Sequence, residues 1–207
     1  MPSVRAARRE RPRRRAEEII DAAAAVFAER GYHGASTQDV ADRLGMRQAS
    51  LYYYFPSKEA ALEQVCLRSV GDFVERAQAI EAGPGTAADK LAAIVESHLA
   101  PVETRGDYVR CFLRERRFLP RDSARRIGRV ARQYEGVLQD VIEAGIAAGE
   151  LRRDLDPRLT TLALIGMCNA AMDWYGREPN APLKRIAEAF AALVVDGMKA
   201  TANRRSR

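Results

Sequence analysis

The chain has 207 residues, 47% hydrophobic and 30% charged, a balance that supports one good core or a small domain joined to a larger one, with disorder confined to the ends. Its longest uncharged, mostly apolar run, Leu159 to Met172, is shorter than the roughly 18 to 20 residues of a membrane span and is closed by Asp173, so it reads as a buried helix and no membrane partner is expected. The net charge of +6 sits at the N-terminus, where residues 1 to 15 hold seven Arg and one Glu and the rest of the chain sums to zero.

That basic stretch predicts a flexible arm over residues 1 to 14 that suits an anionic partner, nucleic acid being the commonest, or else a solubilising tail. It leads into an amphipathic pattern rather than an apolar signal core, so the protein is expected in the cytoplasm. Cys66, Cys111 and Cys168 lie far apart in apolar helical contexts with no C-x-x-C, which predicts reduced, packed thiols.

Apolar spacing is helical almost throughout. In "RAEEIIDAAAAVFAERG", Ile20, Ala23, Ala24 and Phe27 share a face and Gly31 is placed to end the helix. A second stripe, Leu62, Val65, Cys66, Phe73 and Ala77, follows Ser57 as N-cap. "GPGT" at Gly83 to Thr86 breaks the chain; with no strand before it and no Gly-Lys-Ser/Thr after it, it is a loop and not a phosphate cradle. Leu91, Ile94, Val95, His98, Leu99 and Val102 then mark a half-buried helix, closed by Pro101 and Gly106. A short segment around Tyr108 to Leu119 precedes a longer helix with Ile127, Val130, Tyr134, Val137, Leu138, Val141 and Ile142 inward. Two last helices are predicted over about Pro157 to Arg177 and Pro182 to Ala200, separated by "EPNAP".

The stretch "TQDVADRLGMRQASLYYYF" predicts a helix-turn-helix. Thr37 caps a short helix, Val40 and Leu44 face inward, Ala41 permits a close crossing, Gly45 supplies the left-handed turn residue, Met46 packs beneath it, and Leu51 and Tyr54 return to the core. Arg47, Gln48, Ser50 and Tyr53 are then left outward, with chemistry suited to base edges and phosphates; Tyr52 and Tyr53 offer phenols to phosphate, and Lys58 opens the next helix where it can hold another. Plain core packing explains at most two of three consecutive helical tyrosines, so one at least faces out.

"TQDVADRLGMRQASLYYYFPSKEAAL" resembles the tetracycline-repressor (TetR) family of bacterial transcription regulators over about Ile19 to Leu62. Arg47 stands where that family often has Ser, and Ala49 where it has Gly. The resemblance implies an all-α fold: three N-terminal DNA-binding helices over residues 15 to 60, and a C-terminal ligand-binding and dimerisation domain over residues 61 to 201. It carries DNA contact to Thr37, Tyr52, Tyr53 and Lys58. "DWYGREPNAPLKRIAEAFAALVVDGM", Asp173 to Met198, is similar to members of the family that control fatty-acid or sterol breakdown and respond to acyl-coenzyme A thioesters.

On this plan the chain is a homodimeric regulator, a repressor of a palindromic operator, with an acyl-coenzyme A or other apolar small molecule as effector. Phe73, His98, Leu99, Tyr108, Phe112, Tyr134, Met167, Cys168 and Trp174 are candidates for the effector cavity, with core packing as the plainer alternative for each. Leu162, Gly166, Ala170, Ile186, Phe190, Leu193, Val194 and Gly197 are candidates for the dimer interface, unless both stripes pack internally. From Arg110 to Arg132 nine Arg face two acids; they form a solvated face, or Arg110, Arg114, Arg117 and Arg121 hold coenzyme A phosphates. Two rivals stand beside this reading. A nonspecific DNA-packaging protein would need no large apolar half. An enzyme would need a catalytic constellation, and with two His, no metal-ligand cluster, no nucleophile elbow and no cofactor loop none is legible; no metal or cofactor is expected.

Overall fold

A computed structural model describes residues 4–177 and 181–200, and among them the regular structure is helical apart from one isolated antiparallel bridge between Leu151 and Lys199. The tail "NRRSR" and most of "EPNAP" lie outside the described residues. In chain order the helices are α1 (Val4–Gly34), α2 (Thr37–Arg43), α3 (Gln48–Leu51), α4 (Lys58–Ala82), α5 (Ala87–Leu99), α6 (Pro101–Thr104) and α7 (Gly106–Arg110). A π-helical turn (Cys111–Glu115) and a 3₁₀ turn (Arg116–Phe118) follow, then α8 (Arg121–Ala147), α9 (Pro157–Trp174) and α10 (Leu183–Met198). No described helix is long and apolar enough to cross a membrane. The basic stretch expected as a flexible arm belongs to α1 from Val4 onward.

The helix ends follow local chemistry. Gly31 carries the left-handed φ of 68° that breaks the run of α1, as its position predicts. Ser36, not Thr37, caps α2: its Oγ accepts from the Asp39 N–H at 3.2 Å while the Asp39 carboxylate accepts from the Ser36 N–H at 2.8 Å. Thr86 and Asp89 repeat that box on α5, the Ser57 hydroxyl accepts from the Ala60 N–H at the start of α4, and Asp156 caps α9 just before Pro157.

The chain forms two compact units that are not contiguous in sequence. One comprises Met1–Ser69 and Gly106–Gly128, the other Val70–Arg105 and Arg129–Arg207. In the first, α1 buries Ile19, Ala23, Ala24 and Phe27 against α2, α7 and the π-helical turn, joined by Val40, Ala41, Leu51, Phe55, Leu62, Val65, Cys66 and Cys111. In the second, α5 packs against α10 and α9, and Leu91, Ile94, Val95, Leu99, Leu138, Ile142, Leu151, Leu164 and Ala171 form the centre of its core. At about 25 cal/mol per Å² of apolar surface, each such fully buried Leu or Ile contributes roughly 1.5 to 3 kcal/mol. Ile186 and Val194 belong to this core, 5% and 7% exposed, and are not available to a partner; they sit on the inward stripe of α10 with Leu183, Ala187, Ala191 and Met198.

Candidate nucleic-acid interface and effector site

The helix-turn-helix is built on α2 and α3. Gly45 takes φ 61°, and the Met46 N–H donates back to the Ala41 carbonyl at 3.0 Å, closing the turn that separates the two helices. Val40, Ala41 and Leu51 are buried, Leu44, Met46 and Tyr54 half-buried, and the Met46 sulfur accepts from Arg15 Nη2 at 3.8 Å. Arg47 occupies the N-cap of α3 without capping it, and its side chain is exposed, as is that of Ser50. The tyrosines lie at the end of α3 rather than inside it: Tyr52 is the C-cap and Tyr53 and Tyr54 continue in the following turn. Tyr53 is 87% and Tyr52 49% exposed, and Tyr54 lies edge-on to Tyr53 at 5.2 Å between ring centroids. So placed, Arg47, Ser50, Tyr52 and Tyr53 are free to reach an external surface.

Gln48, Thr37 and Lys58 are held differently. The Gln48 amide donates to Thr37 Oγ1 at 2.8 Å, so these two side chains lock α3 to the start of α2. The Lys58 ammonium donates to the carbonyls of Tyr32 at 2.9 Å and Ala35 at 3.0 Å and lies 4.4 Å from the Tyr32 ring centroid. Two of its three donors are therefore spent on carbonyls at and just beyond the C-terminal end of α1, which leaves one donor for a phosphate.

A brace surrounds Tyr32. Its N–H donates to Glu115 Oε2 at 2.8 Å, its hydroxyl donates to Glu59, and its ring stacks on Phe118 at 5.6 Å. Burial, then the hydrogen bond to Glu59 and that carboxylate's charge, push the Tyr32 phenol up to about 12; the same hydrogen bond holds Glu59 below the usual carboxylate range. The segment from Cys111 to Phe118 thus holds the end of α1, which leads directly into α2. Sequence patterns gave no hint of Glu115 in this role, because a carboxylate capping a distant backbone N–H leaves no periodic trace.

In the second unit the structure brings together Phe73, His98 and Tyr134 of the expected effector residues. Ring centroids of Phe73 lie 4.8 Å from His98 and 5.7 Å from Tyr134, and the Tyr134 hydroxyl is 2.8 Å from His98 Nδ1. His98 Nε2 lies 3.2 Å from Asn169 Oδ1, so that nitrogen carries the proton and Nδ1 accepts from Tyr134. Burial lowers the His98 ring to about 4, against the raising effect of Asn169 and with the help of the Arg76 charge, so the ring is neutral. Cys168 is buried in the same core and its thiol is pushed up to about 12 by that burial. Leu99 is fully buried packing.

The other candidates are elsewhere. Tyr108 and Phe112 belong to the first unit, where the Tyr108 hydroxyl donates to Asp21 and Phe112 lies under the Arg116 guanidinium. Trp174 meets Phe190 edge-on at 6.1 Å, and Met167 lines a groove of about 280 Å³ with Leu155, Ala163, Leu193 and Gly197. Asn169 and Arg76, which complete the His98 cluster, escaped the sequence reading; a single amide inside the apolar run Leu159 to Met172 was the available signal.

The outward faces of α9 and α10 carry exposed apolar and small residues: Leu159 is 64%, Leu162 43% and Leu193 67% exposed, with Gly166, Ala170 and Gly197 also exposed and Phe190 half-buried. Arg110, Arg114, Arg117 and Arg121 lie in the first unit, all exposed but the half-buried Arg110; Arg117 stacks over Phe118 at 4.8 Å.

Comparison with known proteins agrees with this architecture along nearly the whole chain. Residues 19–65 match the model for bacterial regulatory proteins of the tetR family, and residues 84–198 the model for a tetracyclin repressor-like C-terminal domain. The fatty acid metabolism regulator protein of Bacillus subtilis is 26% identical over 182 residues, 87% of this chain and 94% of that one. The HTH-type transcriptional repressor KstR2 of Rhodococcus jostii is 25% identical over 190 residues, 91% of this chain and 93% of that one. The crystal structure of FadR from Bacillus subtilis in complex with stearoyl-CoA superimposes with a TM-score of 0.77 at 26% identity, covering 87% of this chain and 98% of that one. With both halves of the architecture matched in order, the chain belongs to the TetR family of bacterial transcription regulators.

Proposed function

We propose that this regulator is a homodimeric repressor that occupies a palindromic operator and leaves it when an acyl-coenzyme A thioester or a similar apolar small molecule enters the second unit. The observation that carries this reading is the division of labour between the units: exposed Arg47, Ser50, Tyr52 and Tyr53 on and beside α3, and a separate helical core with a polar cluster at Phe73, His98 and Tyr134. The family consists of transcription regulators, so the chain is a DNA-binding regulator and not an enzyme.

Arg47 in the major groove offers a bidentate donor pair to guanine, Ser50 a shorter donor or acceptor, and the two phenols donate to backbone phosphates beside them. Leu159, Leu162, Gly166, Ala170, Phe190, Leu193 and Gly197 supply the dimer face; small residues let the helices approach while the leucines bury apolar surface. A two-fold axis through that face repeats the contact on half-sites about 34 to 36 Å apart. Release requires the effector to bind the DNA-incompetent state more tightly than the competent one. The stearoyl-CoA held by the similar FadR supports an acyl thioester as the class to test first.

The experiment is a footprint of the purified chain on its own upstream DNA, repeated with thioesters of graded chain length and their free acids. A protected inverted repeat that clears with thioesters of one length range is expected. Protection without two-fold symmetry would refute the dimer, and protection unmoved by every thioester would refute the effector class.

A further inference from the structure

Four helices of the second unit direct polar side chains to one place in an otherwise apolar core. Arg76 comes from α4, Ser97 and His98 from α5, Tyr134 from α8 and Asn169 from α9. Arg76 Nε donates to Ser97 Oγ at 3.1 Å, its guanidinium carbon lies 4.9 Å from the Phe73 ring centroid, and its Nη2 is buried without a hydrogen-bond partner. Among the described ion pairs no carboxylate faces it, although the neighbouring Arg105 on the same unit has Asp72.

Arg76 is half-buried, with its Nη2 enclosed, and an enclosed guanidinium N–H costs free energy unless an acceptor or an opposite charge meets it. The Phe73 ring and one serine hydroxyl meet only part of that requirement. The hydrogen-bond directions in the cluster point the same way. Tyr134 donates to His98 Nδ1, and His98 Nε2 donates to Asn169 Oδ1. The His98 ring is thereby fully used and Asn169 Oδ1 is taken by it, so the half-buried Asn169 amide N–H groups remain for another acceptor, and Arg76 Nη2 is enclosed with nothing to donate to. The Arg76 charge also acts on both His98 and Tyr134, which places the cation next to that chain of hydrogen bonds.

We propose that Arg76 and Asn169, held in place by Ser97, His98 and Tyr134, form a subsite for a carboxylate on the buried end of the effector, with Phe73 against its apolar body. This deepens the reading of the second unit as the effector-binding part and rests on it. The effector then carries a free carboxylate, which in a thioester is a second acid group at the far end of the acyl chain, and an arginine fork with an amide beside it selects a planar two-oxygen anion over an alcohol or an amide of equal length.

The test is calorimetric titration of the full chain with pairs of straight-chain acids and alcohols from hexanoic to palmitic length. The wild type is expected to bind one acid at least tenfold more tightly than its alcohol. Arg76→Gln is expected to reduce that preference to about twofold or less without weakening the alcohol, and Arg76→Lys to restore part of it. Asn169→Asp places a counter-ion inside the cluster and should remove the preference while keeping the fold, so it serves where Arg76→Gln does not fold. Absence of any acid preference in the wild type, or its survival in both Arg76→Gln and Asn169→Asp, overturns the proposal. Release of operator DNA by thioesters, scored in parallel, separates the two readings: release without acid preference overturns the subsite alone, and acid preference without release overturns the thioester class alone.

Discussion

His98 gives the fold a pH dependence that can be worked out from its surroundings. Burial holds the ring at about 4 in the folded chain against an ordinary 6.5. Between those values the unfolded chain takes a proton that the folded chain refuses, so stability falls as pH drops through 6.5 towards 4 and is flat above it. The full displacement is worth roughly 3 kcal/mol, of which about 2 kcal/mol is lost by pH 4.5. The carboxylates of Asp39, Glu59, Glu63 and Asp89 are all held below their usual range, so their own losses begin at lower pH. Thermal melts of wild type and His98→Gln from pH 7.5 to 4.5 isolate the effect. The wild type should lose roughly 4 to 8 °C more than the variant over that range. Parallel curves for the two proteins would mean that the ring is hydrated or charged inside the fold, and the tautomer assigned through Tyr134 and Asn169 would fall with it.

Four further outcomes are expected. Tyr53→Ala and Arg47→Ala leave the melting temperature within about 2 °C, since both side chains are exposed, but each weakens operator binding in a gel-shift titration by roughly 5- to 100-fold; unchanged affinity in both would take α3 out of the interface. Lys58→Met behaves oppositely, costing about 1 to 3 kcal/mol in a denaturant melt by stripping the Tyr32 and Ala35 carbonyls, with the salt slope of DNA binding unaltered. Glu115→Ala orphans the Tyr32 N–H and should lower stability by about 1 to 3 kcal/mol; hydrogen exchange at Tyr32 no faster than in wild type would show that the contact does not hold. Leu193→Glu puts a charge on the exposed face of α10 and is expected to give a monomer in analytical ultracentrifugation with a normal circular-dichroism spectrum.

The all-helical fold was legible because its cues are local. Gly31, Gly45 and Gly149 end helices or make turns where their neighbours require a positive φ, and the stripe Leu91, Ile94, Val95, His98 and Leu99 is buried as its spacing predicts. Periodicity was a poorer guide to which apolar face meets what. Ile186 and Val194 share a helix with Leu193, yet they lie inside and Leu193 outside, because rotating by one residue on α10 moves a side chain by about 100°. The functional side chains were legible by type but not by partner: Lys58 and Gln48 have the chemistry of DNA contacts, and only the three-dimensional arrangement reveals that Tyr32, Ala35 and Thr37 claim them first. Arg76 and Asn169 were invisible for the related reason that their significance lies in partners from other helices, Asn169 as acceptor for His98 and Arg76 in a donor left over after its bond to Ser97.

The discontinuity of the first unit limits how this regulator can be rebuilt. A DNA-recognition cassette cut at Ser69 and fused to a foreign sensor would omit Gly106–Gly128, and with it Glu115, Phe118 and the buried Cys111 that complete the surroundings of α1. Such a chimera would carry Arg47, Ser50, Tyr52 and Tyr53 and still present an unfinished core. Transplanting its specificity therefore takes either the few outward side chains near α3 alone, or two separate stretches of sequence moved together.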